Sequence, residues 1–497
     1  MSNPVTRRQI LQTSGMAAGA AALGAALSGC ESGSTSAAPA RVSQSPTVMP
    51  TRRKVGPNEK FNIALIGCGG MGRYKLGNFM GSKQCNVLAL CDVDQKQLEG
   101  AAADVQKALD QKPQLLKDYR QVAENKEIDL VIVATPDHWH AAPMMLSVAM
   151  GKDVYVEKPC CHNIREGRLM LDAAKKYGAV VQVGTHQREI PLIQEAREFI
   201  RSGGLGVISQ TNTYTYGNET PNGMGNDPDE PVPPGVDYDM WLGPAKARPF
   251  NKRRFHNTWR WYFDYGCGMV GDWNVHLQDI IMWTLGARAP MSVSCIGGHW
   301  IIEDDRTTPD AMQAVYEFPA PEGAPTSEKG FVQTYTMRKV SGKPWDAGGY
   351  GMDFHGTNGM IHLTRTEWKT EPDKWNWKAW GPNAVKGPNG SEWRIDWDKD
   401  KKNRTDPGAD GAAHMKHVED FLACVRDRKP PLANIESHYN SVAACHLANV
   451  SLLVGRRIFW DADKEQCYTD RGMRSPDREA NALLHREYRK GYELPKV

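Results

Sequence analysis

Residues 61–72 restrict the fold of this chain more than any other stretch. Phe61-Asn62-Ile63-Ala64-Leu65-Ile66 is a short apolar run of the kind that forms a parallel strand buried on both faces. Gly67-Cys68-Gly69-Gly70-Met71-Gly72 follows at once and fits G-x-G-x-x-G. Gly67 suits the tight turn, Gly69 lets backbone approach a pyrophosphate, and Gly72 lets the next helix press onto the strand. The start of that helix, Gly70-Met71, offers free N–H groups and the positive end of a dipole to phosphate. A second apolar run, Val87 to Cys91, ends at Asp92, where an acid meets adenosine ribose hydroxyls. A carboxylate there repels a 2′-phosphate, so the pattern points to NAD rather than NADP.

The same rhythm continues. Leu130 to Ala134, Val154 to Val156 and Val180 to Val183 read as strands, with helical patterns over Ala142 to Met150 and Arg165 to Tyr177. Alternation of this kind predicts an α/β fold with a doubly wound parallel sheet of the Rossmann type. Ligands of such sheets sit beyond the carboxyl ends of the strands. That places Thr135-Pro136-Asp137-His138-Trp139-His140 and Glu157-Lys158-Pro159 at the candidate site.

The second half reads differently. Gly206 to Tyr216, Met291 to Ile296, Ala311 to Phe318, Phe331 to Met337 and Met360 to Thr364 are strand-like. One clear helix intervenes near Leu277 to Leu285, so mostly antiparallel pairing is expected in an open sheet. Two helices, His414 to Arg428 and His438 to Arg456, close the fold. A charged tail after Asp461 is expected to wrap the first domain or a neighbour. The expected divisions are an export signal over 1–30, a flexible linker over 31–57, a nucleotide domain over 58–187, a substrate domain over 188–462 and a tail over 463–497.

The signal rests on order. Arg7-Arg8 precede a mildly apolar Ala/Gly-rich stretch, and Leu27-Ser28-Gly29-Cys30 follows. The pair resembles a twin-arginine signal and the tetrapeptide a bacterial lipobox, in which Cys30 becomes the acylated N-terminus. The expected location is therefore the periplasm or cell envelope, with a lipid anchor. Twin-arginine export moves folded protein, so the other ten cysteines are expected as free thiols. A formal net charge of +3 excludes a strongly basic nucleic-acid binder, and no nucleic-acid partner is expected. No apolar run is long enough for a multi-pass membrane protein.

Asp272 and His276 stand four apart, one helical turn, so the aspartate can orient the histidine or bind a neighbouring substrate hydroxyl. A histidine titrating near neutrality suits the base for a hydroxyl proton, and a lysine suits the developing charge on oxygen. His138-x-His140 and Asp272/His276 are also possible zinc ligands, but no further ligands recur at a metal spacing, so no metal is expected. Two aromatic clusters stand out. Phe255, Trp259, Trp261, Tyr262 and Tyr265 suit either sugar stacking or packing. Six tryptophans between Trp368 and Trp397 suit loop packing. Asn218 to Glu230 reads as a polar loop at the cleft rim or as solvated surface.

Gly67 to Gly72, Thr135 to His140, Glu157-Lys158-Pro159, Gly266 to His276 and Tyr238-Asp239-Met240-Trp241-Leu242-Gly243-Pro244 together resemble the Gfo/Idh/MocA oxidoreductases, the glucose–fructose oxidoreductase and inositol dehydrogenase group. The likeness spans roughly residues 58 to 462. Cys267 stands where the family pattern usually has a third glycine. The resemblance implies catalytic roles for Lys158, Asp272 and His276. It implies cofactor contacts for Gly67, Gly69, Gly70, Met71, Gly72, Asp92, Thr135, Pro136, His140, Glu157 and Lys158. It further implies NAD as cofactor, a carbohydrate or polyol substrate and a homo-oligomer. Glycosidases that oxidise a ring carbon transiently resemble the same family and are the alternative. Lys158 is less typical of them.

Overall fold

The computed structural model describes residues 51–342, 349–372, 385–386, 392–393 and 403–496. Six strands form the first sheet: β1 (Phe61–Ile66), β2 (Cys85–Cys91), β3 (Gln114–Leu116), β4 (Leu130–Val133), β5 (Asp153–Val156) and β6 (Val181–Val183). Their order is β3-β2-β1-β4-β5-β6, and every pairing is parallel. The crossovers are α1 (Gly70–Gly81), α2 (Gln95–Leu109), α3 (Tyr119–Glu124), α4 (Ala141–Ala149) and α5 (Ile164–Lys176). β4 and β5 are buried at every position, which is why they read as continuous apolar runs. The chain leaves β1 to one side for β2 and later returns to its other side as β4. That reversal opens a crevice at the carboxyl ends of the strands.

The second sheet has ten strands: β7 (Ile208–Tyr216), β8 (Ser292–Gly298), β9 (Ala311–Phe318), β10 (Phe331–Arg338), β11 (Tyr350–Gly356), β12 (Gly359–Leu363), β13 (Glu367–Pro372), β16 (Asn403–Thr405), β17 (Ile458–Asp461) and β18 (Gln466–Tyr468). Two short strands, β14 (Val385–Lys386) and β15 (Glu392–Trp393), form a separate hairpin. The large sheet is antiparallel except at its centre, where β7 and β10 run parallel. Its order is β16-β13-β12-β11-β7-β10-β9-β8-β17-β18. Five of these strands escape the sequence pattern. β16, β17 and β18 are four residues or fewer, β11, with Gly351 and Gly356, lacks β-branched residues, and β13, Glu367–Pro372, is half charged and ends in proline.

Further helices are α6 (Pro191–Arg201), α7 (Tyr238–Leu242), α8 (Val275–Leu285), α9 (Ala409–Asp427), α10 (Ile435–Val454) and α11 (Arg478–Ala482). α10 packs against α8 and β8. One hydrophobic cluster runs from Val131 and Val156 of the first sheet through Ile281 of α8 and Val442 of α10 to Tyr316 of the second. A continuous core of this kind sets the two sheets at a fixed relation.

The tail does wrap the first sheet's layer. Arg486 Nη2 donates to the His138 carbonyl at 2.7 Å, Arg486 Nε to buried Glu166 at 2.9 Å, and Tyr488 Oη to the same carboxylate at 2.8 Å. The linker expected to be flexible over 31–57 is described from residue 51. There Arg53 pairs with Asp129 at 2.6 Å and Arg52 with Asp153 at 3.5 Å, so that end is tied to the sheet. Trp368 is a core residue of β13, stacked on Phe199 at 5.8 Å, and not loop packing. Trp375, Trp377, Trp380 and Trp397 lie outside the described residues, as do Arg7, Arg8 and Cys30. Cysteines 68, 85, 91, 160, 161, 267, 295, 424, 445 and 467 are all free thiols.

Candidate active site

The glycine loop is shaped by what a side chain would hit. Gly67 adopts φ +92°, and a Cβ there would lie 2.6 Å from the Ala134 backbone. A Cβ on Gly72 would lie 1.9 Å from the Gly67 carbonyl oxygen, so α1 can approach β1 only without one. Gly69 and Gly70, by contrast, face open space. α1 starts with no side-chain cap at Gly69 and no acid in its first turn, which leaves its N–H groups for an anion. Asp92 braces the loop from the end of β2. Its carboxylate accepts from the Cys68 amide at 2.6 Å and the Asp94 amide at 2.9 Å.

These residues line one cavity of about 270 Å³. Gly67, Gly69, Gly70, Met71, Asp92, Thr135, Pro136, His140, Glu157, Lys158 and Asp272 all reach it. The Oγ1 of Thr135 is buried there without a partner. A bare glycine cradle, a free helix start, an acid at the end of β2 and an orphaned hydroxyl fit an NAD molecule, which these residues would hold.

Lys158 follows β5 and crosses the cavity wall to the second domain. Its Nζ donates to the Asp272 carbonyl and to Asp272 Oδ1, both at 2.8 Å. Asp272 sits on a π-helical turn, Val270–Asn274, which precedes α8. Such wide turns favour functional sites because they free carbonyls from the helix ladder. A Cβ on Gly271 would lie 2.3 Å from Cys267 Cβ, so this turn packs directly on the Gly-rich segment. Arg260 Nε also reaches Asp272 Oδ1, at 3.2 Å. Burial alone would raise the Asp272 pKa, but the Lys158 and Arg260 charges outweigh it and hold the carboxyl below its usual value. Asp137, on the same wall, has no such counter-charge in contact. Burial first, and the Asp272 charge second, push its carboxyl up to about 8.

His276 is placed elsewhere. It is buried, does not line the cavity, and stacks edge-to-face on His186 at 5.7 Å. No hydrogen bond joins it to Asp272 among the described residues. Two cations claim that carboxylate, and a neutral imidazole cannot compete with them. Burial, then the charges of Arg365 and Lys158, drive the His276 pKa well down. His140 is a staple: Nδ1 lies 2.7 Å from the Pro159 carbonyl and Nε2 2.9 Å from that of Thr135, which fixes the Lys158 turn. His138 packs against Trp241, with Nε2 3.0 Å from its carbonyl.

Several wall residues were not singled out from the sequence: Lys117, Tyr119, His256, Asn257 and Arg260. Arg260 had a signal, since it sits inside the aromatic cluster and twelve residues before Asp272. Trp259 of that cluster lines the wall, with the Arg260 guanidinium 4.3 Å from its ring centre. Phe255, Tyr262 and Tyr265 form a satellite core with Tyr238 and Trp241 of α7, with Trp261 packed against it. The loop from Asn218 to Glu230 does not line the cavity. Asp227 and Asp229 pair instead with Arg253 and Arg254.

Residues 61–185 match the family model GFO_IDH_MocA, oxidoreductase family, NAD-binding Rossmann fold. Residues 193–333 match its companion, the oxidoreductase family C-terminal alpha/beta domain. The chain belongs to the Gfo/Idh/MocA oxidoreductase family. Levoglucosan dehydrogenase of Pseudarthrobacter phenanthrenivorans is 25% identical over 188 residues, 37% of this chain and 40% of that protein. The scyllo-inositol 2-dehydrogenase (NAD(+)) of Bacillus subtilis is 30% identical over 143 residues, 29% of this chain and 41% of that protein. The chain thus spans less than two thirds of these curated Gfo/Idh/MocA relatives. Among solved structures, levoglucosan dehydrogenase in complex with NADH and L-sorbose aligns at TM-score 0.58 and 17% identity, covering 81% of this chain and 99% of that one. The WlbA dehydrogenase of Chromobacterium violaceum, with NADH and UDP-GlcNAcA, aligns at TM-score 0.59 and 16% identity, covering 84% and 100%. At such identities the likeness is one of fold.

Proposed function

We propose that this protein oxidises a secondary alcohol of a sugar, glycoside or polyol, with NAD held in the glycine-loop cavity. The observation that carries the reading is Lys158. Two of its three ammonium hydrogens are spent on Asp272, and it stands on the wall of the cavity that the glycine loop also lines. The third N–H is left for a substrate oxygen. It would orient the hydroxyl and stabilise negative charge as the O–H proton leaves. His276, one turn past Asp272 behind the cavity wall and neutral because it is buried, is the proton acceptor in this reading, reached through a bridging water. Asp272 keeps Lys158 aimed into the cavity. Nicotinamide, when bound, supplies the hydride acceptor. Relatives named as levoglucosan, D-apiose and scyllo-inositol dehydrogenases support the substrate class.

The reading extends to location. The twin arginines Arg7 and Arg8 and the lipobox ending at Cys30 support export of the folded protein and an acyl anchor. Little free NAD is available outside the cytoplasm, so the cofactor is retained and recycled in place. The test is nucleotide content of the purified protein after gel filtration and dialysis, then turnover on a panel of sugars, glycosides and inositols. Retained NAD and a reduced-nicotinamide signal with a panel member are expected. Absence of any bindable nicotinamide nucleotide would sink the reading. Aglycone release without net NADH would favour transient ring oxidation instead. Replacing both Arg7 and Arg8 by lysine should stop export, and normal export of that variant would refute the route.

A further inference from the structure

Behind the cavity wall, five segments bring titratable and charged groups to one point. His276 opens α8, and its Nδ1 is buried without a partner. The ring it faces, His186, comes from the turn after β6. His186 Nε2 lies 2.9 Å from Asp410 Oδ1 in the first turn of α9, and its ring stacks on His414 at 3.6 Å. Lys75 of α1 meets His414 Nδ1 at 2.9 Å, and Arg365 lies 3.4 Å from Asp410 Oδ2. The spacing is built in. Arg188, two residues past His186, forks Asp279, three past His276, at 2.7 and 2.6 Å inside the core.

The partners settle the protons. The Asp410 carboxylate can only accept, so His186 carries its proton on Nε2 and a lone pair on Nδ1. Lys75 donates to Nδ1 of His414, so that ring carries its proton on Nε2. His186, Asp410 and His414 also bring three donor atoms within 4.8 Å of one another, a spacing a divalent cation can use. Two features argue against one. Lys75 takes the His414 lone pair, and Lys75 and Arg365 already balance Glu157, 3.6 Å from Lys75, and Asp410. A dication would add two uncompensated charges to a largely buried site. The cluster is built for a proton.

We propose that His186 and Asp410 are positioning residues that carry the reaction proton from His276 to solvent. The proposal rests on the dehydrogenase reading above. His276 has no outlet of its own: it is buried, and Lys158 and Arg365 make its charged form costly. The proton taken from the substrate must therefore move on before the next turnover. As hydride leaves the carbinol carbon for nicotinamide, the hydroxyl proton goes to His276 and the C=O forms. His276 then protonates Nδ1 of His186, across a gap that one water or a ring turn spans. His186 gives its Nε2 proton to Asp410, whose side chain is 31% exposed and passes it to water. A ring turn restores the starting tautomers. Burial holds His186 down to about 4; burial would raise Asp410, but its bond to His186 and the Arg365 charge outweigh that and hold it at about 2. At neutral pH the path therefore rests as neutral imidazole and free carboxylate. His414, Lys75, Arg365, His276 and Asp410 are the titratable and charged groups that face His186.

The test uses the full nucleotide-loaded protein with a panel sugar that it oxidises. Asp410→Asn keeps the acceptor and removes the charge. Its kcat should fall roughly 10²-fold with KM for sugar and nucleotide little changed. Its rate should then rise with the concentration of added formate or imidazole, which a purely structural loss would not do. Asp410→Glu should recover part of the loss. Ring ¹⁵N spectra of the wild type should show His186 protonated on Nε2. An Asp410→Asn enzyme with wild-type kcat and no buffer dependence would overturn the proposal. So would His186 protonated on Nδ1, or one tightly held metal per chain that is lost in His414→Ala. A wild type that binds NAD but oxidises no panel member would remove the dehydrogenase reading, and the proton path with it. Turnover in the wild type with an unaffected Asp410→Asn would remove the path alone.

Discussion

Lys158 is held by two acceptors of one residue, and its charge in turn keeps Asp272 ionised. Lys158→Met removes that hold and the donor to substrate together. Single-turnover hydride transfer should drop roughly 10²–10⁴-fold, while NAD affinity by direct titration changes far less. A variant near the wild-type rate would place the electrophile elsewhere. Asp137 gives a pH prediction. Its folded pKa, about 8, lies above the ordinary carboxylate value, so the fold prefers the protonated acid. The stability it contributes is complete below about pH 4, where the unfolded chain is also protonated, and is lost as pH rises towards 8. Asp137→Asn should flatten the decline of Tm between pH 5 and 8.5 relative to wild type. Parallel curves would mean that Asp137 ionises without cost. Asp92 carries the cofactor choice: Asp92→Ser should weaken NAD binding and relatively improve NADP, since a hydroxyl does not repel the 2′-phosphate.

At the scale of the element, two glycines of one motif separate into distinct tasks. Gly72→Ala puts a methyl 1.9 Å from a backbone oxygen, so α1 must move off β1. It should cost about 1–3 kcal/mol in urea unfolding and weaken NAD as a consequence. At Gly69 a Cβ meets nothing within 4 Å, so Gly69→Val should leave unfolding within about 0.5 kcal/mol, yet weaken NAD by filling the cradle. Equal unfolding midpoints for the two would contradict the packing account. The π turn was not legible. A four-residue spacing signals one helical face, and it carries nothing about which partner each side chain meets. Asp272 turned to Lys158 and Arg260 because opposite charges outbid an imidazole. His276 turned to His186, on an element 90 residues earlier in the chain.

Across the whole molecule, one continuous core joins the two sheets, and the tail closes over the first. The Glu166 side chain is fully buried and is held by Arg486 and Tyr488 from that tail. Arg486→Ala leaves the carboxylate with the Tyr488 hydroxyl and the His162 amide, 3.3 Å away. The expected loss is about 3 kcal/mol, the lower end for breaking a buried pair, because two hydrogen bonds remain. Tyr488→Phe should cost about 1 kcal/mol. A shift under half that in Arg486→Ala would show the tail to be dispensable. No helix among the described residues is long and apolar enough to cross a membrane.

Local pattern alone determined the nucleotide-binding half. Strand, glycines, helix start and Asp92 occupy one short run of chain, and each position has a steric or electrostatic reason that neighbours in sequence supply. The strands of the second sheet with clear alternation were legible for the same reason, as was the place of Lys158 at a strand end. Tertiary structure decided the rest. Sequential strands argue for antiparallel pairing, yet β7 and β10 run parallel because α7, α8, β8 and β9 intervene and the long-range core sets their order. Arg260, Asp137, His186 and Asp410 carry no periodic signal. Their protonation and their partners depend on burial and on charges that only folding brings within a few ångströms, and Coulomb energy follows distance in space rather than along the chain.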